Sequence, residues 1–172
     1  MSDRDPLTQV YDALWTLLEK SETLRTACKI GNRIAYNHED RDAIKDSRLT
    51  DDLPEMRVVP LTLAPHIQRT SNSSWLTKRF AIQVATGNLD IGHPVEGLFV
   101  IEFAVYRALS NWVGVLQQLK WKDKPFVHLA RPTEASSPAL LQDDSTIVRG
   151  WTTIWQCEIQ MVFATADLQA QD

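Results

Sequence analysis

The chain has 172 residues and a formal charge of −4. That length suggests one domain, able to bury roughly 70% of its unfolded surface without a disulfide or a metal. The charge is too small to imply strong attraction to nucleic acid or to an anionic membrane. The excess is local. From His38 to Glu55 there are seven acids and three bases, while the other 15 acids and 15 bases cancel. No apolar run reaches the ~18 residues of a membrane span. No basic segment precedes an apolar run at the N-terminus, so no signal peptide is expected. Cys28 and Cys157 lie 129 residues apart, each in an apolar pattern without CxxC spacing. They read as reduced, buried thiols of a reducing cytosol.

Asp5-Pro6 marks a helix start, because Asp caps free amides and Pro at the first helical position loses no hydrogen bond. Leu7, Val10, Tyr11, Leu14, Trp15, Leu17 and Leu18 follow as one apolar stripe at helical spacing. Ser21 is placed to cap a second short turn holding Leu24 and Cys28, ended by Gly31-Asn32. Residues 38–55 form an acidic surface loop. Arg57 to Leu63 reads as a strand with Val59, Leu61 and Leu63 alternating, and Pro60 implies an edge or bulge position. After the turn cluster Thr70 to Ser74, a second strand runs from Trp75 to Thr86, with Phe80, Ile82 and Val84 on one face. The two strands make a long hairpin.

Leu98, Ile101, Val105, Leu109, Trp112, Leu116 and Leu119 step by three or four, which predicts a continuous core-facing helix of about six turns. Glu102, Arg107, Asn111 and Gln118 fall between these positions. A second hairpin is expected to close the domain. Its first arm is Pro125 to Glu134, and its loop is Ala135 to Ser145. In the second arm Trp151, Thr153, Trp155, Cys157, Ile159, Met161 and Phe163 take the odd positions and Gln156, Glu158 and Gln160 the even ones. Gly150 marks a bulge at its start, and Asp167 to Asp172 reads as a frayed tail. The fold expected is α+β: a mostly antiparallel four-stranded sheet from two long hairpins, with two main helices on one face in the order α-β-β-α-β-β.

Signatures of chemistry are weak. His38, His66, His93 and His128 are too far apart to share a helix face as metal ligands, and the adjacent His38-Glu39-Asp40 would not converge on one ion. Cys157, between Trp155 and Ile159 on the apolar face, reads as an inert thiol. The carboxylate pairs Asp51-Asp52 and Asp143-Asp144 lie in polar loops rather than a shaped cleft. The glycines are scattered, so no phosphate loop is expected. His128 reads as a satisfied sheet histidine. Lys120, Lys122 and Lys124 around Trp121, with Arg131 beyond, are read as helix-end cations rather than a nucleic-acid contact. No catalytic residue, cofactor or metal is assigned. A competing class is a small-ligand-binding α+β domain, which predicts an apolar pocket near Trp112, Trp151 or Trp155. A bacterial adaptor or immunity-type protein is a third.

Several short motifs carry a resemblance in order along the chain. They are Asn32-Arg33-Ile34, Asp52-Leu53-Pro54-Glu55 before a Val-rich strand, Lys78-Arg79-Phe80, Thr86-Gly87, Tyr106-Arg107-Ala108-Leu109 and Arg149-Gly150-Trp151. With the element order, they make the chain similar to the tail terminator (tail completion) proteins of tailed bacteriophages, within the wider group of neck and tail-joining proteins. The resemblance implies a structural protein of the virion tail, at its neck end, made in the cytoplasm of the host bacterium. Such a protein forms a ring, usually a hexamer, that caps the tail tube and receives the head connector without doing chemistry. DNA would meet it only in transit through the pore, and no membrane is involved. A neck adaptor or tube protein of the same fold group is the sibling alternative. On this expectation Asp51, Asp52, Glu55, Asp143 and Asp144 are candidate pore or interface acids, since acids lining a pore repel passing phosphates. Their other reading is as solvated outer loops. Gln156, Glu158 and Gln160, with free edges on the 151–163 arm, are a candidate intersubunit strand face.

Overall fold

The structure, a computed structural model, describes residues 4–27, 55–66, 72–142 and 148–169. Cys28, Asn32, the acidic stretch from His38 to Pro54, Asp143 and Asp144 lie outside the described residues, as does the side chain of Glu55. Helix α1 (Pro6–Glu19) begins as its residues dictate: the Asp5 carboxylate accepts from the Thr8 amide at 3.0 Å and from the Thr8 hydroxyl, with Pro6 in the first turn. The hydroxyl bond leads the effects that hold the Asp5 carboxyl below its usual range. A short helix α2 (Glu22–Ala27) follows, where Ser21 Oγ accepts from the Leu24 amide at 3.3 Å.

The sheet is built from β1 (Glu55–Pro65), β2 (Ser73–Thr86), β5 (Val127–Ala135), β6 (Ala139–Gln142) and β7 (Val148–Ala164). Its order is β1-β2-β7-β5, with β6 also on the β5 side of β7, and every pairing is antiparallel. The fold is therefore α+β. Between β2 and β5 come α3 (Leu98–Ser110), two 3-10 turns (Trp112–Gly114 and Leu116–Gln118) and a tight hairpin of β3 (Lys120–Trp121) and β4 (Lys124–Pro125). Lys122 and Asp123 make that hairpin's turn at φ of 49° and 62°. Helix α4 (Thr165–Gln169) ends the described chain.

One core joins α1 and α3 to one face of the sheet. Val10, Leu14, Trp15, Leu18, Leu98, Ile101, Val105 and Leu109 pack on Phe80, Ile82, Val84, Cys157, Ile159 and Met161. Each fully buried side chain of this kind is worth roughly 1.5–3 kcal/mol, so packing rather than helix propensity holds the helix layer in place. The odd positions of β7 from Thr153 to Phe163 face this core, with Trp155 only partly buried, as the period-2 pattern predicts.

Several expectations are corrected. The sheet has five strands rather than four, because Ala139–Gln142, expected in a loop, pairs with Val148–Thr152. The predicted six-turn helix stops at Ser110, and its axis bends by 51° into the 3-10 turns. Ser110 Oγ bonds the Tyr106 carbonyl at 2.8 Å and Asn111 Nδ2 the Arg107 carbonyl at 3.0 Å, competing with the backbone ladder. Val113, Gly114 and Val115 follow, all poor helix formers. The alternation of Val59, Leu61 and Leu63 is not a buried face, since Leu61 and Leu63 are exposed. Met56 and Val58 point inward instead, and a register shift between Pro60 and Leu63 changes which parity faces the helices. Pro60 and the edge position of β1 agree with the expectation. The first arm of the second hairpin begins at Val127, not Pro125. The expected frayed tail is helical through Gln169, and Lys124 Nζ meets the Asp167 carboxylate at 2.8 Å.

Gly150 has a steric role. A Cβ there would lie 1.8 Å from the Thr86 carbonyl oxygen, and the register of β6 shifts beside it. Gly150→Ala should therefore force β2 and β7 apart at that end and cost about 1–3 kcal/mol, the usual range for overpacking. A urea denaturation midpoint unchanged from the parent would refute the close approach.

Candidate functional site

Strand β7 is central, so its even positions form the middle row of the sheet face turned away from the helices. Arg79 on β2 and Arg131 on β5 both stand opposite Glu158. Their guanidinium groups reach its carboxylate at 3.3 Å and 3.5 Å. Gln160 Nε2 donates to Glu158 Oε1 at 3.1 Å. Under this cover Glu158 is only 8% exposed, while both arginines stay about half open. Burial pushes the Glu158 carboxyl up, but Gln160, Arg131 and Arg79 outweigh it and leave the carboxyl below the ordinary glutamate range. Glu158 is thus a fixed anion at neutral pH, not a proton donor.

Amides and hydroxyls flank this cluster, with the exposed Ile154 opposite Gln83 among them. Gln83 Nε2 lies 3.4 Å from Thr152 Oγ1, and Thr133 Oγ1 donates to the Gln156 carbonyl at 3.3 Å. Farther along, Trp75 meets His128 edge-on, with 4.9 Å between ring centroids. His128 is exposed at a register shift in β5 rather than alternating with Phe126 and Ala130. The face formed by Gln156, Glu158 and Gln160 is therefore present. The free edges expected beside it are not, because β7 is paired along one side by β2 and along the other by β5 and β6.

The other candidates resolve into structure. Cys157 is buried and its thiol is pushed up to about 12, chiefly by burial. Trp112, Trp151 and Trp155 pack against the core, and Trp151 Nε1 donates to the Leu89 carbonyl at 3.2 Å. A cleft of about 500 Å3 lies between α1, α2 and the end of α3, with Lys20 and Arg107 in its lining and Asn111 and Gly114, on either side of Trp112 in the chain, at its margin. The lysine run is no cap on α3. Lys122 Nζ donates to the Asp167 carbonyl at 2.7 Å and lies over the Trp121 ring, and Lys124 pairs with the Asp167 carboxylate. These lysines tie the β3–β4 hairpin to α4. Among the described residues no group of three or more His, Cys, Asp or Glu is placed to hold a metal. None of their helices is by itself long and apolar enough to cross a membrane.

One feature escaped the sequence reading. Phe99, Phe103 and Tyr106 form a stripe on α3 away from its core-facing side, with exposures of 53%, 60% and 43%. Phe103 stacks on Tyr106 at 6.2 Å, and Tyr106 lies 5.8 Å from Trp155. Its signal was available, because residues 98–109 are apolar nearly all round, a pattern a surface helix does not show. No protein-family model matches the chain, and no curated protein matches it.

The ion-paired Glu158 gives a test with a definite sign. Its folded-state carboxyl titrates below its unfolded value, so its stabilisation is complete above about pH 4.3 and is lost as pH falls through the folded value. Glu158→Gln should cost about 1 kcal/mol at pH 7, given the partial exposure of both arginines. The gap to the parent should close as pH falls from about 4.3 through the lower folded value. A gap that stays constant across that range, measured by urea unfolding, would show that the pairs contribute nothing.

Proposed function

We propose that this chain is a structural subunit of a tailed bacteriophage, a tail terminator. As a ring, most simply a hexamer, it caps the tail tube at the neck end and receives the head connector. It contributes surfaces rather than catalysis. The observation that carries the reading is the exposed aromatic stripe of α3. A subunit meant to stay alone rarely leaves three large aromatic side chains in a row in water, whereas an assembly subunit uses them. The motifs of the resemblance support it where they are described. Lys78-Arg79-Phe80 brings one arginine of the open-face ion pair together with a core phenylalanine. Tyr106-Arg107-Ala108-Leu109 contains the last aromatic of the stripe and a buried leucine. Gly150 of Arg149-Gly150-Trp151 allows the close approach of β7 to the Thr86 carbonyl.

The role is tested by electron microscopy of particles assembled without this protein. Abnormally long, unattached tails are expected. Tails of normal length bearing heads would overturn the proposal. Normal-length tails lacking heads would instead favour a neck adaptor, and the absence of any tail tube would favour a tube protein.

A further inference from the structure

We propose that successive copies of this chain dock head to tail, the aromatic stripe of α3 in one copy receiving the outer strand β1 of the next. The inference rests on the ring reading above and names the contact that would build the ring. On one side of the molecule, Phe99, Phe103 and Tyr106 run into Trp155 of β7. Across from Trp151, Leu140 of β6 is 47% exposed, which carries the patch toward that sheet edge. At the opposite edge of the same sheet, Leu61 and Leu63 of β1 are 38% and 43% exposed. Leu63 stands opposite Lys78, on the helix-bearing side like Phe80. Lys78 donates to the Leu61 carbonyl at 2.6 Å and so holds the bulge that presents these leucines.

The two patches are unlike and lie on opposite edges. A two-fold pair built on either patch alone buries it against itself and leaves the other in water. A head-to-tail contact buries both and repeats from copy to copy, forming a ring where its rotation closes. Area supports a contact larger than the stripe alone. Three half-open aromatics offer on the order of 300 Å2, the size of the largest patch on many monomers, whereas a stable interface takes about 800 Å2 from each partner. The stripe is thus sized to be the apolar centre of a wider contact, completed by β1 of the neighbour. Pro60 and Pro65 deprive β1 of two backbone donors, so side chains rather than an added β-ladder should dominate that contact.

The test is a directed cross-link in a Cys28→Ser background, where buried Cys157 does not react. Leu63→Cys and Phe103→Cys are made as separate proteins, mixed, and treated with a short bis-maleimide. The mixed dimer should be the main product, several-fold above a control pairing Leu63→Cys with Gln9→Cys on α1. Phe99→Cys should repeat the result, and unchanged circular dichroism confirms that the variants fold. The doubly substituted chain should give a ladder that stops at one size. Dimers of Phe103→Cys with itself in place of mixed dimers, or mixed dimers only at the control level, would overturn the contact. If mixed cross-links form but tails are normal without the protein, the tail role fails and the contact stands. If tails are over-long but cross-links stay at the control level, the contact fails and the tail role stands.

Discussion

The antiparallel register of β7 is the constraint on which the rest depends. Fourteen of its residues pair continuously with β2, from Trp151 opposite Thr86 to Ala164 opposite Ser73. Because side chains alternate faces, that one register sends Cys157, Ile159 and Met161 to the helices and Gln156, Glu158 and Gln160 away from them. A slip by one residue would place Glu158 in the core without its arginines and expose the apolar row. The backbone enforces the same register sterically at Gly150, where no larger residue fits against Thr86.

Both faces of the sheet follow from that alignment. On the inner face, α1 and α3 complete the core with stripes that match the apolar row. On the outer face, Arg79 and Arg131 converge on Glu158 because all three occupy one cross-strand row over β2, β7 and β5. An exposed ion pair is worth little. Here one carboxylate is shared by two guanidinium groups and bonded by Gln160, so it stays charged although it is nearly covered. The arrangement serves registry: a polar row satisfied only when three strands are aligned penalises every other alignment.

What the sequence disclosed divides along local and non-local lines. The start of α1, the stripe Val10 to Leu18 and the alternation of β7 were legible because each is written in neighbouring residues. The face of β1 was misread because its bulge depends on pairing with β2, which no local pattern records. The end of α3 was hidden because Leu116 still reaches the core through a 3-10 turn, so the apolar spacing continues while the helix does not. Strand β6 exists only by pairing with β7. The burial of Glu158 was likewise invisible, since its partners lie 79 and 27 residues away. Edges beside β7 were expected to be free for a neighbour, and the topology instead leaves the outer strands at the rim of the sheet.

That relocation changes where association is to be sought. A central strand paired on both sides offers a neighbour only its faces, and the polar face of β7 is already occupied by its own ion pairs. Desolvating Glu158, Arg79 and Arg131 against a partner would cost the hydration that the half-open arginines retain. The aromatic stripe of α3 carries no such cost, because removing it from water is favourable and two of its rings are already ordered, Phe103 stacked on Tyr106 and Tyr106 tilted against Trp155. Aromatic side chains also lose few rotatable bonds when buried, which makes them efficient contact residues. The energetic balance therefore favours the helix layer and the sheet rim over the open sheet face as the place where the proposed neighbour would dock.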